Sequence, residues 1–147
     1  MSARHVVEVG IRWSDLDPYH HVNNAKILTL LEEARLVALD AWFDRGSGTL
    51  LRGLMVAHQE IDYRAQMYYH PTITVEMWCS EIGGSSFVMG YEVHDREGRL
   101  VCVAETTMVC TDIESGGVRR LSEDERAELT ARLDAPAPLR RRRKEGS

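Results

Sequence analysis

The chain has 147 residues, 44% of them hydrophobic and 28% charged, with a net charge of −5 at neutral pH. That length and balance fit one compact domain with a core of its own and exclude a disordered chain. Residues 140–144 supply five positive charges and Glu145 one negative, which leaves the body before them at −9 and argues against a nucleic-acid-binding domain. No run of about 18 apolar residues is present, so no membrane-spanning helix is expected. The start Met1-Ser2-Ala3-Arg4-His5 lacks the apolar stretch of a signal peptide, and a cytoplasmic location is the expectation. Cys79, Cys102 and Cys110 cannot all pair with one another and have no CxxC or Cys/His metal spacing, so they read as reduced core residues.

The elements follow in chain order. Residues 5–13 are rich in β-branched and aromatic types and read as a strand. A polar, proline-broken loop follows over residues 14–23. From Asn24 to about Asp44 there is no glycine or proline. Ile27, Leu31, Ala34, Ala38 and Trp42 recur at helical spacing, and Leu28, Leu30, Val37 and Leu39 widen that face, which predicts a helix buried on most sides. Asn23 is its expected N-cap, and Gly46-Ser47-Gly48 its expected stop. From Leu51 to Thr111 the pattern has period two, with turn signals at His70-Pro71, Gly83-Gly84 and Asp95-Arg96-Glu97-Gly98. In the second of these strands Ile73, Val75, Met77 and Cys79 alternate with Thr72, Thr74, Glu76 and Trp78. Ser122 and Glu125 form a capping-box signature for a short helix ending near Leu133.

One strand, a long helix, four hairpin-joined strands and a short helix predict an α+β fold. A mostly antiparallel sheet should wrap around one long central helix. Exposed sheet edges and an apolar helix favour pairing between subunits. The expected division is a domain over residues 1–134 and a disordered basic tail over 135–147, dispensable for folding, since Pro136 and Pro138 break structure and the basic run repels itself.

The loop ahead of the long helix carries the chemistry. Asp15, Asp17, His20, His21, Asn23 and Asn24 put two carboxylates, two imidazoles and two amides into ten positions. The unpaired N–H groups of a helix start suit a developing oxyanion, and a nearby carboxylate can act as base or nucleophile. These are the minimum parts for attacking an acyl carbonyl. Bland readings of the same residues stand beside this one. Asp17 before Pro18 can open a turn. Asp15 can bond loop amides or pair with Arg12. Asn23 can simply cap, and His21 can lock the loop. Two histidines beside two aspartates can hold a divalent metal, but adjacent histidines rarely point at one ion and no third cluster supports them, so no metal is expected. No GxSxG, GxGxxG or P-loop is present, so no cofactor is expected either.

Arg12-Trp13-Ser14-Asp15-Leu16-Asp17, His21-Val22-Asn23-Asn24 and Glu32-Glu33-Ala34-Arg35 together resemble the 4-hydroxybenzoyl-CoA thioesterase family of hotdog proteins. Ile61-Asp62-Tyr63-Arg64 and the block from Ile82 to Phe87 look like that family's later strands. The resemblance, over roughly residues 5–112, implies an acyl-CoA thioesterase of the hotdog fold, with acyl-CoA as substrate and two or four copies sharing sites. It implies Asp17 as catalytic carboxylate and the Asn24 N–H as the group polarising the thioester carbonyl; from their place in the same loop, His21 is expected with the catalytic residues and Asn23 with the substrate-binding ones. It places the nucleotide part of CoA at Gly84, Ser85 and Ser86, with Arg64 a weaker candidate for a CoA phosphate. His20 stands where the family commonly has glycine, which bears on pocket size. Some relatives carry their acid on the long helix, which keeps Glu32 and Glu33 as alternatives. A hotdog protein that binds acyl-CoA or assembles without turnover is the second reading, and a hotdog dehydratase the third.

Overall fold

The computed structural model describes residues 3–44 and 52–146. Strand β1 (His5–Gly10) leads through a 3-10 turn at Trp13–Asp15 into helix α1 (Asn24–Leu39), which runs on as a π-turn over Asp40–Asp44. Strands β2 (Leu54–Tyr63), β3 (Thr72–Ile82), β4 (Ser86–His94) and β5 (Leu100–Cys110) follow, then helices α2 (Glu123–Ala131) and α3 (Arg140–Glu145). The Gly46-Ser47-Gly48 stop and the Leu51 start of the strand region lie outside the described residues. Both caps are formed as read: Asn23 Oδ1 accepts from the Ala25 N–H at 2.9 Å, and Ser122 and Glu125 close a reciprocal box.

The strands form one antiparallel sheet in the order β1-β3-β4-β5-β2. Its inner face holds Ile73, Val75, Met77, Met89, Tyr91, Val93 and Cys102 and packs on Ile27, Leu30, Leu31, Ala34, Ala38 and Leu39 of α1. This is the sheet-around-helix arrangement expected of a hotdog protein. The helix itself is covered less than its composition suggested. Leu36 is 44% and Val37 54% exposed, because a single sheet can cover only one side of a cylinder. Among the described residues no helix is long and apolar enough to cross a membrane.

The outer face of the sheet departs from expectation. The register sets Trp78 beside Gly90, Gly90 beside Glu105, and Glu105 beside Glu60, one row across four strands. Trp78 lies flat over Gly90, where an added Cβ would come within 2.6 Å of the indole. The Arg4 guanidinium stacks 3.9 Å from that ring. Residues 135–139 then cover the row. Ala137 and Leu139 are fully buried against Trp78 and Val103, and the Trp78 indole donates to the Ala135 carbonyl at 2.7 Å. Arg142 makes a two-pronged bond to Glu105 (2.6 and 2.9 Å), and the Arg141 Nε–H is shared between the two carboxylate oxygens of Glu60 (2.7 and 3.0 Å). The expected disordered tail is therefore a docked arm in this structure. Mutual repulsion within the basic run is offset by carboxylates that the fold lines up beneath it.

Candidate active site

The loop before α1 is held by its acids. Asp15 is 1% exposed. It accepts from the Arg12 N–H (2.8 Å) and guanidinium (3.2 Å), which hold its carboxyl below the usual carboxylate range against the opposing effect of burial. Its carbonyl takes the Asn23 N–H at 2.8 Å, which fixes where α1 begins. Asp17 is half-buried. Its Oδ1 accepts from the backbone N–H groups of Tyr19 (2.9 Å) and His21 (3.1 Å). Its Oδ2 has no hydrogen bond from the described residues. His20 sits at φ 64°, in the left-handed region. A glycine adopts that conformation without strain, whereas a side chain there costs on the order of 1–2 kcal/mol. The His20 side chain is exposed and is not part of the cleft wall described next.

The segment after β2 clamps this loop. Trp13 stacks on Tyr69 with ring centres 4.6 Å apart, His21 meets Tyr68 edge-on at 5.1 Å, and the Val22 N–H donates to the Met67 carbonyl at 2.7 Å. Between the two segments lies a cleft of about 760 Å³, walled by Asp17, His21, Asn24, Tyr63, Arg64 and Met67 among others. Four of the residues singled out in the sequence thus meet in one place. The Asn24 N–H belongs to the first turn of α1, whose amides have no acceptor within the helix, and no described residue accepts from it. A carboxylate oxygen and an open helix-start N–H on one cleft can address the carbon and the oxygen of the same carbonyl.

Tyr63 was missed as an individual residue. Its hydroxyl donates to the Asn24 carbonyl at 2.9 Å and ties the end of β2 to the start of α1. The only signal was its place in the Ile61-Asp62-Tyr63-Arg64 block. Arg64 lines the cleft and also donates to the Pro138 carbonyl, and its Nε is buried without a partner among the described residues. Asn23 uses its side-chain oxygen for the cap and does not line the cleft.

Gly84, Ser85 and Ser86 lie elsewhere. Ser86 pairs with Val109 and Tyr63 with Cys102, so seven residues of β5, about 23 Å, separate the β3–β4 hairpin from the cleft end of the sheet. The hairpin is held by Leu121 N–H on the Gly84 carbonyl and Cys110 N–H on the Ser85 carbonyl, both 2.9 Å. Glu32 and Glu33 are exposed on the helix, and Glu32 comes within 3.8 Å of the Arg35 guanidinium. The cysteine thiols are buried, and desolvation pushes Cys79 up to about 11 and Cys102 up to about 12, so neither is a nucleophile. Among the described residues Glu76, Glu92 and His94 bring ligand atoms within 4.8 Å of one another, but on β3 and β4, where Arg4 already pairs with both carboxylates.

An antiparallel sheet closed on one long helix, entered through an acid-bearing loop, is the architecture of the hotdog-fold thioesterases. The model of the thioesterase-like superfamily matches residues 11–140, and the chain belongs to that family. It is 27% identical over 128 residues to the long-chain acyl-CoA thioesterase FadM of Escherichia coli (strain K12), covering 83% of this chain and 94% of that one. A thioesterase from Thermus thermophilus, solved in complex with coenzyme A and zinc, is similar with a TM-score of 0.75 at 27% identity over 89% of this chain and 95% of that one. A predicted thioesterase from Bacillus stearothermophilus shares the fold with a TM-score of 0.80 at 22% identity, over 90% of this chain and 98% of that one.

Proposed function

We propose that this thioester hydrolase acts on acyl-CoA esters in the cleft between the Asp17 loop and the end of β2. The observation that carries the reading is the meeting of Asp17, with Oδ2 open, and the open Asn24 N–H on one cleft. The thioester carbonyl oxygen takes the Asn24 N–H. Asp17 removes a proton from water, which adds to the carbonyl carbon; the C–S bond then breaks, and the leaving thiolate takes that proton back from Asp17. Direct attack by Asp17 on the carbonyl, followed by hydrolysis of the anhydride, uses the same placement. The backbone of His21 positions Asp17 by donating to Oδ1. Free thiol is expected above background from at least one ester in a panel of aryl-, short- and medium-chain acyl-CoAs. Background release across the panel, with CoA still bound, would favour a binding protein without turnover.

The hairpin at Gly84–Ser86 enters this reading only through a second copy. The outer edge of β2 has no partner strand among the described residues, and Met55, Val56 and Tyr63 are 52%, 37% and 43% exposed on it. Two β2 edges paired antiparallel about a two-fold axis set the Tyr63 end of one beside the Leu54 end of the other. Leu54 pairs with Cys110, next to the residue that faces Ser86. Each cleft would then receive the hairpin of the other copy. Solution scattering is expected to return a mass of two chains or four. A single-chain mass at micromolar concentration would remove both the dimer and the hairpin from the site.

A further inference from the structure

We infer that the docked C-terminal arm is a phosphate-binding element of the cleft: Arg140 and Arg143 on α3, with Arg64 at the rim, take the phosphates of the nucleotide end of the substrate. This rests on the acyl-CoA reading above.

The arginines of α3 divide into two sets. Arg141 and Arg142 are spent on Glu60 and Glu105 and fasten the helix to the sheet. Arg140 and Arg143 are three positions apart, so they share a helix face, and both are exposed. Neither has a carboxylate of the described residues within ion-pair distance. A run that served only solubility would leave its charges equally solvated. Here half of the arginine run holds the other half in a fixed position, which lowers the ordering cost of binding an anion.

The anchoring points set that position relative to the cleft. The Arg140 N–H donates to Asp62, which precedes Tyr63 at the cleft end of β2 and faces the outer side of the sheet with Val103. Pro138, two residues earlier, receives the guanidinium of Arg64, itself a cleft residue. The buried Nε of Arg64 is an unspent donor at this junction among the described residues. Long-range charge does not supply the attraction, because the body before residue 140 is strongly acidic. A polyanionic substrate therefore needs a local cationic element, and the arm holds one on the outer face beside the Arg64 end of the cleft.

The test compares the full-length protein with Arg140→Gln/Arg143→Gln, which keeps both anchoring arginines. Two esters of the same acid are used, one of CoA and one of pantetheine, which lacks the phosphates. The variant is expected to melt as the wild type does and to show KM for the CoA ester raised about tenfold or more, with kcat and the pantetheine ester unchanged. The wild-type KM for the CoA ester should also rise with salt, and the variant's should rise less. An equal change with both esters, or none with either, overturns the inference. Calorimetry with adenosine 3′,5′-bisphosphate decides the case independently of turnover. Binding to wild type and at least about tenfold weaker binding to the variant supports the arm; equal affinity or no binding overturns it. If wild type releases no thiol from any ester, the thioesterase reading fails, and the calorimetric arm still judges the phosphate site.

Discussion

Replacing Asp17 with asparagine is expected to lower kcat on the best acyl-CoA ester at least about 10²-fold, the lower end of what general-base assistance contributes, while the protein stays folded. Asparagine keeps the Oδ1 that holds the Tyr19 and His21 amides, so the loop keeps its shape. It removes the charge and basicity at the second oxygen, which has no hydrogen bond from the described residues. KM should move little, since an ester of CoA is held mainly through its CoA part. Asp15→Asn is the matched control. Asp15 is buried and holds Arg12 by two bonds, so its loss should cost about 1–3 kcal/mol of stability and leave kcat within a few-fold. Retention of more than about a tenth of wild-type kcat in Asp17→Asn, well short of general-base loss, would transfer the role to another acid. Glu32 and Glu33 would be tested next. Both are exposed on α1, two turns or more beyond Asn24, and would have to act across a subunit contact.

Truncation after Asp134 is expected to lower the melting temperature by roughly 5–15 °C, as a net loss of about 2–4 kcal/mol does in a domain of this size. The truncation removes Ala137 and Leu139, both fully buried, and uncovers Trp78 and Val103. Burial of a large apolar side chain contributes about 1.5–3 kcal/mol. Glu105, 6% exposed, loses the Ala137 N–H and both prongs of Arg142. Removing the ordered arm also removes the entropy cost of holding it, about 1–2 kcal/mol per residue for the backbone, and this keeps the net effect well below the gross loss of contacts. Leu139→Asp in the full chain separates the two contributions. It leaves the chain length unchanged, removes the apolar plug, and should reproduce most of the drop. A truncated protein that melts within about 2 °C of the full chain would show an arm that docks without stabilising.

The amino-acid sequence by itself determined whatever is encoded within a few residues. The Asn23 cap and the Ser122–Glu125 box are side-chain contacts over two or three positions, and both form as read. The strands were legible because period two is a local pattern, and α1 because its core face recurs every three or four residues. The Asp17 loop was legible for the same reason: its acids bond amides two to four positions away and sit beside a helix start. Only the tertiary structure decided that Tyr63 closes on Asn24, that the Gly84–Ser86 hairpin stands at the other end of the sheet, and that the basic arm docks. Periodicity says which residues share a face, but not what covers that face. Trp78 fell in the polar row of its strand, and the segment that buries it lies 57 positions away. Arg142 finds Glu105 across 37 positions and Arg141 finds Glu60 across 81. A charge run has no partners in its own stretch of chain, so its repulsion is visible in the sequence, while the carboxylates that offset it are brought together only when four strands align their register.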